Sequence, residues 1–221
     1  MKRNPFIEPQ KISFEGIITS IEPRATVWRY RMDNRTHREI GYNLFLNGIY
    51  AEIKNDFVLA ITEAMQNKYR FRINDRISGN AWKKLHEERE FADFYKVSNI
   101  KILARCEQET RSGPPWTGEA PDLEVYSNRG ARMLSTKRWK SKCRGCRWAN
   151  MSNVTIEYNF NTGAKKYRFE SFCYGPLDCP FYAMGPARSV PYYKKESSSD
   201  TGWMDDMCVE MRSIYFKEDY E

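Results

Sequence analysis

The chain has 221 residues, 41% hydrophobic and 14% aromatic, with 36 Lys and Arg against 29 Asp and Glu. That is enough apolar material for one large or two small cores, but no stretch reaches the roughly 18 apolar residues of a membrane-spanning helix. Six cysteines, and no apolar segment behind Met1-Lys2-Arg3, read as a cytoplasmic protein with reduced thiols rather than a secreted disulfide scaffold.

Residues 1–10 read as an extended arm. Ile12, Phe14 and Ile18 then alternate with Ile17 and Ile21 across a strand that Gly16 bends. Glu22-Pro23-Arg24 reads as a turn, Ala25 to Arg31 as a second strand, and Met32 to Glu39 as a polar loop with His37. Ile40 to Leu46 is a third strand, closed by an Asn47-Gly48 turn, and Ile49 to Ile61 continues the sheet. Thr62 to Tyr69 reads as a short helix with Thr62 as N-cap and Ala64, Met65 and Tyr69 on one face. An Asn74-Asp75 turn leads into a strand with Ile77, Gly79 and Ala81 on one face. A charged loop, Lys83 to Arg89, precedes a last strand over Phe94 to Leu103.

This order (strand with a glycine bend, strand, strand, short helix, strand, strand) resembles the OB-fold. The phrase Phe71-x-Ile73-Asn74-Asp75-x-Ile77-x-Gly79 is similar to the segment entering the fourth strand of such domains. The resemblance covers residues 11–105 and is one of topology; another small β-barrel reads alike. It implies a five-stranded barrel whose second and third strands and adjoining loops form a binding face.

Residues 107–136 have linker composition, with Gly113-Pro114-Pro115-Trp116-Thr117-Gly118 and Ala120-Pro121. The strongest motif follows. Cys143-x2-Cys146 precedes, by 26 residues, Cys173-x5-Cys179. Between them Val154, Ile156, Tyr158 and Phe160 alternate with polar residues, Asn161-Thr162-Gly163-Ala164 turns, and Tyr167 and Phe169 alternate again. That is a hairpin pattern, and a hairpin returns the chain to its starting end. Four thiolates would then meet in the tetrahedral set of a structural zinc, one per chain, with no position open for catalysis. Two disulfides or four buried thiols are the alternatives; a reducing compartment argues against the first. Cys106 and Cys208 read as idle thiols. Beyond the motif, Gly185 to Lys195 reads as a basic strap, Ser197 to Asp200 as a break and Trp203 to Ser213 as an acidic helix. The expected organisation is mainly β: an OB-like barrel at 1–106, a linker at 107–136, a zinc-ribbon domain at 137–195 and an acidic tail at 196–221.

Charge is concentrated around the cysteines. Residues 136–195 hold 12 Lys and Arg against 3 Asp and Glu, whereas residues 196–221 hold 2 against 8. Such a field gathers polyanions; it also neutralises the two net negative charges of a zinc held by four thiolates. Basic residues interleave with aromatics in three places: Trp28, Arg29 and Arg31 with Arg35 and Arg38; Arg72 with Trp82 and Lys83; and Arg138, Trp139 and Lys140 with Arg147 and Trp148. Single strands are held by this pairing of cations for phosphates and rings for bases, although Trp and Tyr on strands are more often core. Neither His37 nor His86 sits in a metal or nuclease motif, and no phosphate-cradling loop or nucleophile elbow is present. The reading is a non-enzymatic, zinc-containing protein that binds single-stranded DNA or RNA. The alternative is a zinc-stabilised interaction subunit of a larger nucleoprotein or enzyme complex.

Overall fold

The computed structural model describes residues 9–30, 33–106 and 113–185, with the side chains of 29–36 left out. Arg31, Cys208, the strap from residue 186 and the acidic helix at Trp203 to Ser213 lie outside the described residues. The described chain is mainly β, with one sheet of eight strands.

Two long strands organise it. β1 (Lys11–Tyr30) and β2 (Asp33–Tyr50) pair antiparallel over most of their length, from Phe14 opposite Tyr50 to Tyr30 opposite Asp33. The turn expected at Glu22-Pro23-Arg24 is therefore uninterrupted strand, and the loop expected from Met32 belongs largely to β2. Pro23 is tolerated because the register shifts immediately after Arg24; an irregularity relieves a strand of the hydrogen bond that proline cannot donate. Bulges of this kind bend β1 enough to serve two partners. Its first part, Lys11 to Ile17, pairs with β4 (Arg76–Lys83), and its last, Thr26 to Trp28, runs parallel to β7 (Ala149–Tyr158).

The turn after β2 falls at Ala51-Glu52, not at Asn47-Gly48. Both turn residues have positive φ, 46° and 66°, the requirement of a two-residue hairpin whose twist matches its strands. Gly48 instead sits inside β2 opposite Gly16, where an added Cβ would lie 2.1 Å from the Glu15 carbonyl oxygen. β3 (Ile53–Ile61) leads to α1 (Glu63–Tyr69), which Thr62 caps by accepting the Met65 amide. The buried helix residue is Gln66, bonded to the Phe71 carbonyl, while Ala64 is exposed. β4 then pairs with β5 (Phe94–Ala104), whose first residue meets Leu59 of β3 in parallel. Pairing thus runs β1-β2-β3-β5-β4 and back to β1, a closed ring around Phe14, Ile18, Leu44, Leu59, Phe71 and Ile77.

Residues 113–134, read as linker, carry structure that local composition hides. α2 (Leu123–Arg129) buries Tyr126 completely, and β6 (Arg132–Leu134) buries Leu134 completely. The Tyr42 hydroxyl donates to the Pro121 carbonyl at 2.8 Å, tying this segment to β2. A helical turn at Thr136–Arg138 widens into a π turn at Trp139–Cys143. β7 (Ala149–Tyr158) and β8 (Lys165–Cys173) form the expected antiparallel hairpin. It extends the sheet from β1 in the order β1-β7-β8-β6.

Candidate metal centre and ring–cation junction

The hairpin register places Ala149 opposite Cys173. The chain enters β7 through Cys146, so the two cysteine pairs come to one end of the ribbon. Cys143 closes the π turn, and the Cys146 amide donates back to the Cys143 carbonyl at 2.9 Å. Gly145, at φ 97°, makes that reversal possible. The Cys179 amide donates to the Pro176 carbonyl. All four cysteines line one void of about 10 Å³, with Trp148, Phe181 and Tyr182 around it. That is room for about one water-sized sphere. All four are free thiols. Among the described residues, no group of three or more His, Cys, Asp or Glu side chains stands in an ion-holding arrangement; the sulfurs share the void without converging in it.

The donor set fits a thiophilic ion. Burial pushes the Cys143 and Cys146 thiols up to about 12 and raises Cys173 as well, and the neighbouring sulfurs add to it. Against this, the Gly175 amide donates to Cys173 Sγ at 3.3 Å, and the Trp148 and Trp116 amides pull Cys146 down. Such N–H donors favour thiolate. Arg132, unremarked in the sequence, orders the second loop. Its buried guanidinium donates to the carbonyls of Gly175 at 3.0 Å and Pro176 at 2.6 Å, and lies over the Tyr182 ring at 4.0 Å. Arg129 donates to the Tyr174 carbonyl and covers Trp148 at 4.5 Å. Part of the local positive charge therefore holds the fold.

The basic–aromatic clusters separate. Trp139 and Trp148 are 4% and 3% exposed, which corrects their assignment as base-stacking rings. Trp139 packs against Phe45 and Phe91, and Trp148 against Tyr126. Around them Lys140 is exposed, whereas Arg138 and Arg147 are half-buried. The Arg147 guanidinium lies over Trp148 at 5.1 Å. Trp82 pairs with Lys11, at the opposite end of β1 from Trp28, next to the exposed Lys83; Arg72 precedes the far end of β4. Arg38 is exposed, and the side chains of Arg29 and Arg35 lie outside the description.

Trp28 is where a cluster forms. Its ring meets Tyr158 at 6.5 Å, Tyr158 meets the exposed Phe160 at 4.8 Å, and Lys165 lies 4.4 Å from the Trp28 centroid. The parallel β1–β7 pairing builds this row by bringing three strands together at one end. Tyr158 and Phe160 were legible only as hairpin residues, because the contact with Trp28 crosses about 130 residues of sequence. Beside the row, Arg89 covers Tyr167 at 5.7 Å.

No described helix is long and apolar enough to cross a membrane. Compared with protein-family models, curated proteins and solved structures, the chain matches none.

Proposed function

We propose that the chain is a non-enzymatic protein that binds single-stranded nucleic acid, built as an OB-like barrel joined to a zinc ribbon. The barrel reading is supported by the pairing order β1-β2-β3-β5-β4-β1 with a helix between β3 and β4, since a small five-stranded barrel is what the OB-like reading expects. The ribbon reading is supported by four cysteines around one ion-sized void. Cys143, Cys146, Cys173 and Cys179 would hold a structural Zn²⁺, which would cross-link the two loops and supply no catalysis.

One observation carries the binding reading: the row Phe160, Tyr158, Trp28 with Lys165 over it. Flat rings accept bases of any identity and cations follow the phosphates. The test is a salt titration of oligonucleotide binding, with melting curves alongside. Each phosphate neutralised contributes a slope of about −0.7 in log K against log salt. Lys165→Ala should reduce the slope by about that amount. Trp28→Ala should weaken binding by about 1–3 kcal/mol. Trp139→Ala should lower the melting temperature and leave the slope intact, because the ring is core. No binding at low salt rejects the proposal.

A second reading, a docking subunit of a larger complex, is favoured by Ile17 and Ile49. Both stand about half exposed on adjacent strands of the ring. It predicts no affinity for free oligonucleotides.

A further inference from the structure

The last described residues lie beside a cationic turn. The Ala183 carbonyl accepts the Ser135 amide at 2.9 Å, and the Tyr182 hydroxyl donates to the Met133 carbonyl at 2.9 Å. Both bonds pin the exit of the chain, at Gly185, to the segment that runs straight into the helical and π turns at 136–143. Those turns carry Lys137, Lys140 and Lys142, all exposed. Among the described residues none of the three has an ion-pair partner. Arg24, Arg76, Lys84, Lys166 and Arg168 each have one.

The cysteines do not account for these lysines. Four thiolates on a zinc leave about two negative charges. Arg132 and Arg138 are the cations that act on the sulfurs, whereas Lys142 stands over the Phe181 ring at 5.9 Å. The loop leading to the exit adds apolar surface, with Leu177 44% and Met184 57% exposed. The face therefore offers surplus positive charge next to uncovered apolar groups.

The chain itself supplies the complement. Residues 200–210 hold Asp200, Asp205, Asp206 and Glu210 and no Lys or Arg, with Trp203, Met204, Met207 and Val209 among the acids. Trp203 is 18 residues beyond Gly185, a reach of up to about 60 Å, ample for a return to a turn that adjoins the exit. A tether of this kind holds its end at an effective concentration on the order of millimolar, so modest attraction suffices.

We propose that residues 203–210 dock on this face of the same molecule, their carboxylates against Lys137, Lys140 and Lys142 and their apolar side chains against Leu177 and Met184. The inference stands independently of nucleic-acid binding.

The test is zero-length carbodiimide crosslinking of the full chain at low salt, on an equal mixture of heavy-isotope-labelled and unlabelled protein, read by peptide mass spectrometry. Crosslinks from the three lysines to Asp205, Asp206 or Glu210 should form within one molecule. They should fall at least about fivefold at about 1 M salt, where charges are screened beyond about 3 Å. A second readout is the acylation rate of each lysine in wild type and in a variant combining Asp205→Asn, Asp206→Asn and Glu210→Gln. Lys140 and Lys142 should react about threefold faster in the variant, as expected for exposed ion pairs, with Lys165 unchanged. Equal rates, or crosslinks from the acids only to Lys54 or Lys165, overturn the docking. Crosslinks confined to pairs of labelled with unlabelled chains overturn docking within one molecule and assign the face to a second copy. Protection of the three lysines by an oligonucleotide, with no crosslink to residues 203–210, overturns it and assigns the face to nucleic acid.

Discussion

Glu22 lies in mid-β1, fully buried, and accepts the Gly145 amide at 3.2 Å from within the Cys143-Cys146 turn. Burial pushes its carboxyl from an ordinary 4.5 up to about 8, and the Gly145 amide, the neighbouring Trp139 indole and the Arg144 charge only partly oppose this. Between those two values the folded protein holds a proton that the unfolded chain releases. The group's contribution to stability is therefore complete below pH 4.5 and is lost as pH rises through about 8. Glu22→Gln keeps the shape and removes the titration. It should melt above wild type at pH 8 by an amount on the order of a few kcal/mol, and this advantage should shrink toward pH 5. Taking the difference between the two proteins at each pH cancels the pH dependence that both share. An advantage constant from pH 5 to 8 would contradict the buried-acid account. Nothing in the sequence singles out Glu22, because Glu-Pro-Arg has the composition of a solvated turn. Its burial is decided by the cysteine turn more than 120 residues away.

At the scale of elements, Gly48 shows where local reading fails and why. Asn-Gly is a strong hairpin signal, yet here the glycine lets β1 and β2 approach closely in mid-ladder. Gly48→Ala would drive a Cβ into the Glu15 backbone, 2.1 Å away, where no side chain can yield. We expect it to cost more than about 2 kcal/mol, in the range of severe single substitutions, and chemical denaturation measures this directly. A loss below about 0.5 kcal/mol would mean that the strands separate freely there. The strict alternation in Val154 to Tyr158 and in Tyr167 to Phe169 made the β7–β8 hairpin legible, and the Thr62 cap fixed the start of α1. Both signals are local, and so they survived. The continuity of β1 through Pro23 depends on a register shift against β2 that no window on one strand contains. The residues after Gly113 look like linker because proline and glycine report only on local conformation. The burial of Tyr126 comes instead from Trp148 and Tyr174, which pack against it from further along the chain.

For the whole molecule, the question is whether the cysteine loops stabilise only their own hairpin or the barrel as well. β7 pairs with β1, β1 belongs to the closed ring, and Phe45 of β2 packs on Trp139 beside the first cysteine loop. One continuous hydrophobic cluster runs from Ile12 to Tyr174. Ligation that closes Cys143, Cys146, Cys173 and Cys179 around an ion would contribute folding free energy directly. Through β1 that contribution would reach the ring. Protein purified without added metal should contain one zinc per chain by elemental analysis. Cys143→Ser should lose the metal, and chelation of wild type should have the same effect. In both cases melting should remain a single transition, moved to lower temperature, because the two halves share a strand. Two separate transitions after chelation would show that the barrel stands without the ribbon, and the β1–β7 pairing would then carry little energy. Absence of zinc, together with an intact mass about 4 Da lower before reduction than after, would replace the metal centre with two disulfides.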